Sequence, residues 1–303
     1  MRIGLMVGEG SGSQPGLEGL IENVKNAESA GFHTAWMANI FGLDAISSLA
    51  IAGRETSTIE LGTAVVPTYP RHPMAIAQQA LTAQAAANGR FVLGIGLSHQ
   101  VVIESMMGLS YAKPARHMRE YLEVTTKLLR GEAVAYQGEE YRVNGQITVP
   151  VTQPPQVMVA ALGPAMLKIT GRLADGTITW MTGNKTLAAH IVPGISESAK
   201  EHGRPAPRIA AGFPIAVTDD TANARKVASQ VFVVYGQLPS YRAMLDREGA
   251  ANPEDIAMVG TKDDLRAMVD QSRQAGVTDF CAAPYPADAT AIPRTMDFLA
   301  SLI

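Results

Sequence analysis

The chain has 303 residues, a net charge of −3, 47% hydrophobic and 17% charged residues, and one cysteine. With no block of like charges, this balance argues against a nucleic-acid or anionic-membrane partner, and the lone cysteine, Cys281, excludes an internal disulfide framework or a cysteine-rich metal site. MRIGLMVGEG enters a strand-like run at once, without a leader pattern, and no apolar run reaches membrane-spanning length, so the cytoplasm is the expected compartment.

Short apolar runs alternate with longer periodic segments, the pattern of βα units. The first strand is predicted over 2–7 and its helix over 17–31, with Leu20, Ile21, Val24 and Ala27 at helical spacing. Strand two is expected over 34–39, followed by a helix that Asp44 caps and that runs through Arg54. Strand three covers 59–66, after which Pro67, Pro70 and Pro73 interrupt the chain before a helix ending at Asn88-Gly89. FVLGIGL, 91–97, is strand four, and its helix spans 116–129. Alternating apolar residues with Gly138 and Asn144-Gly145 predict a hairpin excursion between 133 and 150. Strands five to eight are placed at 157–161, 177–181, 208–217 and 279–283. A wider gap, 221–276, holds helical patterns at 224–235 and 263–274. Eight continuous apolar strands point to a single-domain α/β fold over 1–303, a (β/α)8 TIM barrel with insertions after strands four and seven. The competing open doubly wound sheet would want G-x-G-x-x-G in its first turn. GEGSGSQPG has Ser13 in place of the third glycine.

In a barrel the chemistry sits where strands end. The segment after strand one, rich in glycine and serine, reads equally as room for a bulky ligand and as a plain loop. Asn39 at the end of strand two can serve a ligand or simply be a satisfied amide. Arg71 and His72 read as a carboxylate partner and a helix-start residue, or as ligand groups. Strand four ends in GIGLSHQ, where Ser98 and His99 would project into the mouth; His99 is the candidate catalytic histidine. His33, His117, His190 and His202 fall in or beside helices and are expected to face solvent. Gly163, Ala165 and Met166 open one helix, and Thr182 and Gly183 precede another with Lys185 nearby; two such starts would make an anion cradle. No metal-ligand spacing, G-x-S-x-G elbow or P-loop is present. Hydride transfer by an organic cofactor fits a mouth with few acids and bases.

AESAGFHTAWMANIFGLDA (27–45), IELGTAVVPTYPRHPMAIAQQALTAQAAANGRFVLGIGLSH (59–99) and ALGPAMLKITGRLADGTITWMTG (161–183) resemble the bacterial-luciferase-like superfamily, in its branch of oxidoreductases using the deazaflavin coenzyme F420. The resemblance implies a non-prolyl cis peptide at Ala64–Val65 whose backbone supports one face of the cofactor ring. It also implies hydride transfer at the ring's C5, a small-molecule substrate on the open face, and a homodimer. Asn39 and Ser98 would then lie near the ring and its linker, His99 near cofactor or substrate, and the phosphate in the cradle of Gly163, Ala165, Met166, Thr182 and Gly183. Relatives that oxidise alcohols often carry an acid–base pair where this chain has Asn39-Ile40, which favours a reductase. An FMN-dependent monooxygenase on the same fold and a non-catalytic cofactor-binding barrel are the alternatives.

Overall fold

The computed structural model describes residues 1–8 and 16–303. Most of the glycine- and serine-rich segment after strand one, with its partial G-x-G-x-x-G, therefore lies outside the described residues. In chain order the strands are β1 (Arg2–Val7), β2 (Thr34–Met37), β3 (Glu60–Thr63), β4 (Val66–Pro67), β5 (Phe91–Gly96), β6 (Val134–Gln137), β7 (Arg142–Gly145), β8 (Gln156–Val159), β9 (Gly176–Trp180), β10 (Arg208–Val217), β11 (Met258–Gly260) and β12 (Asp279–Pro284). The helices are α1 (Leu17–Ser29), α2 (Ala45–Glu55), α3 (Pro73–Ala86), α4 (Pro114–Leu129), α5 (Pro164–Leu173), α6 (Asn184–Thr186), α7 (Val192–Glu201), α8 (Thr221–Val231), α9 (Pro239–Glu248), α10 (Lys262–Gln274) and α11 (Ala291–Ala300). A π-helical stretch, Leu187–Ile191, joins α6 to α7.

Parallel pairing runs β10-β12-β1-β2-β3-β5-β8-β9, and β9 pairs back onto β10 with Ala210 opposite Ile178, so the sheet closes on itself. The eight-stranded barrel expected from the alternating pattern is the observed fold. β6 and β7 form the expected antiparallel hairpin. Strand three is not the continuous run over 59–66 that its apolar residues suggest: it breaks between β3 and β4, and the Ala64–Val65 peptide at the break is cis, at the bond the family resemblance implies. Two further features differ from the sequence expectation. A π-helical turn, Val101–Met106, follows β5 directly. Between β10 and β12, α9 and the short edge strand β11 were not anticipated, and the helix expected over 224–235 gives way after Val231 to a 3-10 turn, Val233–Gly236.

Inside the barrel, alternate residues face the axis: Met6, Trp36, Val92, Met158, Ile178 and Cys281 form its packed interior. Trp36 is completely buried and needs space from its neighbours. A Cβ at Gly62, one strand over, would stand 2.3 Å from the Trp36 ring, so only glycine fits there. The same logic shapes the break after β3. Thr63 accepts from the Gly94 amide through Oγ1 (2.8 Å) and donates to Gly94 O (2.7 Å), which draws the chain against β5. A Cβ at Gly94 would lie 1.8 Å from Thr63 O, and one at Gly96 would lie 2.7 Å from Val65 Cγ2. The G-I-G run of β5 is thus the imprint of the break opposite.

Candidate active site

Above this packed interior the barrel opens into a cavity of about 400 Å³. A second cavity of about 190 Å³ continues from it toward the start of α5. Both are bordered by Ala64, Val65, Ser98, His99, Thr179 and Trp180, so the cis step and the ends of β5 and β9 form the wall they share. Size and position suit a small-molecule site.

Two residues at this end of the barrel hold unusual backbone, and the first of them lines both cavities. Ser98 and Met181, each just past a barrel strand, have φ of 59° and 49°. Left-handed geometry costs a non-glycine residue about 1 kcal/mol or more and concentrates at functional sites. Tyr111 braces the first by donating its hydroxyl to Ser98 O at 3.4 Å. Ala64 is braced by its own amide, which donates to Met37 O at 2.7 Å. Behind the wall the His117 ring stacks on Tyr69 at 3.9 Å, and its Nε2 lies 2.8 Å from Thr68 Oγ1. His117 is therefore not solvated: it is 5% exposed, and burial lowers its pKa to about 4. His190 is half-buried, with Nε2 2.8 Å from Leu162 O, while His33 and His202 are exposed as expected.

Asn39 lies in the larger cavity and accepts from the Ala45 amide through Oδ1 at 3.0 Å. Its oxygen is therefore spent on the start of α2, and its NH₂ has no protein acceptor among the described residues. The His99 ring is half-buried, 5.7 Å from that of Tyr241, and burial lowers its pKa, leaving it neutral at pH 7. Burial also raises the Tyr235, Tyr241 and Cys281 acids, so these groups stay protonated. Among the described residues no Asp, Glu, Lys or Arg lines either cavity. Two buried polar atoms of the lining residues, Thr179 Oγ1 and Trp180 Nε1, have no hydrogen-bond partner among the described residues. No group of His, Cys, Asp and Glu among the described residues could hold a metal. The site can position and hydrogen-bond, but among the described residues it holds no carboxylate base and no nucleophile activated by a neighbouring charge.

The two expected anion-binding helix starts part company. Gly163 and Met166 border the smaller cavity, and the start of α5 has no side-chain cap. Its first intrahelical bond is Leu167 N to Gly163 O, so the Ala165 and Met166 amides have no protein acceptor among the described residues. Thr182 and Gly183 border neither cavity. The amides that follow them, Lys185 N and Thr186 N, donate to the Glu248 carboxylate at 3.2 and 2.7 Å. That start already holds an anion belonging to the chain itself, and Lys185 is exposed. Arg71 and His72 take their structural roles: Arg71 pairs with Asp44 at 2.6 Å, and His72 caps α3 through Nδ1. Tyr241 lines both cavities, and Thr179, Trp180 and Tyr111 complete the wall without having been picked as site residues. A parallel strand buried on both faces hides which side chains point inward, so only strand-end position could have flagged Trp180.

Three comparisons agree with this geometry. A putative coenzyme F420-dependent oxidoreductase of Mycobacterium tuberculosis is 30% identical over 241 residues, covering 74% of this chain and 69% of that one. The 5,10-methylenetetrahydromethanopterin reductase of Archaeoglobus fulgidus is 32% identical, covering 75% and 68%. The solved structure of the coenzyme F420-dependent tetrahydromethanopterin reductase from Methanopyrus kandleri superposes with a TM-score of 0.82 at 21% identity, covering 99% of this chain and 97% of that one. With a family model matching residues 1–283 as well, the chain belongs to the luciferase-like monooxygenase family.

Proposed function

We propose that the chain is a coenzyme F420-dependent oxidoreductase that works as a reductase on a small organic substrate. One observation carries this reading: two joined cavities share Ala64 and Val65, at the break between β3 and β4, as a wall, and the smaller ends at an uncapped helix start. Such a space fits a flat ring with an anionic tail. The unpartnered Thr179 Oγ1 and the open space where a Gly163 Cβ would point both suit a bound ring and tail. Asn39, Ala64, Val65 and Ser98 would hold the ring, and Gly163, Ala165 and Met166 the phosphate. When bound, a deazaflavin carries two electrons as hydride. Cavity walls lined by side chains exclude bulk water from the exchange. His99, neutral and half-buried, would relay the one proton a reduction needs from solvent, accepting it on one ring nitrogen as the other donates, and among the described residues no acid–base pair for alcohol oxidation lines the cavities. The same reading makes the enzyme a cytoplasmic homodimer; the uncharged exposed face of α3, Ala75, Gln78, Gln79, Thr82 and Ala85, supports the dimer.

Titration of the purified protein with oxidised F420 and with FMN tests it. Micromolar binding of F420, with FMN at least about tenfold weaker, is expected. Micromolar FMN binding without F420 binding would replace the reading with a flavin monooxygenase. Tight F420 binding with no substrate ever oxidising the reduced cofactor would favour a non-catalytic carrier.

A further inference from the structure

The rim of the larger cavity is greasy. Among the described residues eleven large apolar side chains are exposed, and nine of them lie at 40–41, 101–109 and 231–234. These segments follow β2, β5 and β10 at the mouth of the barrel. Ile40, Val101, Met107 and Val234 line the cavity while remaining open to solvent, and Leu238 extends the same surface. Large exposed apolar groups gathered in one place mark a binding surface. The polar groups lie deeper, at Asn39, Ser98, His99 and Thr179, and none is charged at neutral pH.

We infer that the substrate is an uncharged carbonyl compound with an apolar body. Its carbonyl end reaches Asn39 and His99, and its apolar part lies across the collar formed by Val101, Met107, Val234 and Leu238. A charged group entering this mouth would lose hydration with no counter-charge among the described residues to meet it. An apolar tail would cover side chains that otherwise face water. The inference rests on the reductase reading for its choice of a carbonyl compound, but its physical content is a binding preference that can be measured without turnover.

Trp180 borders both cavities and the second tryptophan, Trp36, is buried in the barrel interior, so tryptophan emission reports occupancy. The probes are 3-alkylcyclohex-2-enones of increasing alkyl length and counterparts of equal length ending in a carboxylate, each titrated with and without oxidised F420. Affinity is expected to rise about threefold to fourfold per added methylene until the collar is spanned. The carboxylate-ended probes should bind roughly tenfold more weakly at lengths that leave the charge inside the collar. Val101→Glu and Val234→Glu change exposed positions and should flatten the length dependence without lowering the melting temperature. An affinity independent of length, carboxylates binding as tightly as their neutral partners, or a change of oligomeric state as the only effect of the two substitutions would overturn the inference. If F420 fails to bind while the length series behaves as described, the cofactor reading alone falls. If F420 binds and the series is flat, only the substrate class falls.

Discussion

His117 joins the wall of the site to the helix behind it. Its Nε2 meets Thr68 Oγ1, Thr68 Oγ1 lies 3.3 Å from Gly96 O, and the Tyr141 hydroxyl is 3.3 Å from Nδ1. Burial holds the imidazole neutral against the nearby Glu120 carboxylate, which pulls the other way. In the unfolded chain a histidine takes up its proton near pH 6.5, whereas here it does so only near pH 4. As pH falls through that window the unfolded chain binds the proton first, so folding stability drops, by about 2 kcal/mol between pH 7 and pH 5. His117→Gln cannot titrate and should lose that part of the slope, whatever its stability at pH 7. Urea midpoints at the two pH values check this, and an unchanged slope would mean that another group sets it. The signal for this residue was present in the sequence. His117, Tyr121, Val124 and Leu128 share the buried stripe of α4, but a polar residue on an amphipathic helix invites the assumption that it faces water.

Helix starts show where local reading stops. Both Gly163 and Gly183 precede helices and look alike in sequence, yet one faces a cavity and the other faces Glu248. The discriminating residue lies 62 positions beyond Thr186, so no local pattern could separate them. The strand break is a similar case. The proline-rich surroundings and the G-I-G run were legible, but their geometric relation appears only when Thr63 is laid against Gly94. For the helices a pair of substitutions makes the distinction measurable. Gly163 has extended φ and ψ and nothing within 4 Å of a built Cβ, so Gly163→Asp should fold, with a good cap on α5. Its charge should weaken F420 binding about tenfold or more while the melting temperature holds or rises. Glu248→Ala strips the other helix start of its acceptor and should cost about 1–2 kcal/mol of stability with F420 affinity unchanged. Calorimetry of both variants with the cofactor decides between the two sites. A rise in affinity in Glu248→Ala, with none lost in Gly163→Asp, would move the phosphate to α6.

At the scale of the whole molecule, a cluster of paired charges closes one end of the barrel, and the cavities at the other have no charged lining among the described residues. At the amino ends of the strands Arg208 donates from Nε to Asp279 at 2.9 Å, pairs with Glu60 and lies over the Trp36 ring at 5.5 Å, while Arg2 pairs with Glu60 at 3.1 Å. The eight alternating units were legible because each parallel strand is a continuous apolar run. The charge cluster was not, since Glu60 and Arg208 stand 148 residues apart and meet only when the barrel closes. This polarity separates what holds the barrel from what it binds. Arg208→Met removes one cation from between two carboxylates and should destabilise the fold by about 3–5 kcal/mol, because Glu60 and Asp279 are left under-compensated. Adding Glu60→Gln and Asp279→Asn to it should recover part of the loss, the mark of coupled charges rather than of lost packing over Trp36. F420 affinity, measured where each variant is still folded, should change less than about twofold, since the ligand lies at the far end of the barrel. A tenfold fall in affinity with Arg208→Met would mean that the charged end and the cavity are coupled through Trp36, and the division between a stabilising end and a binding end would have to be abandoned.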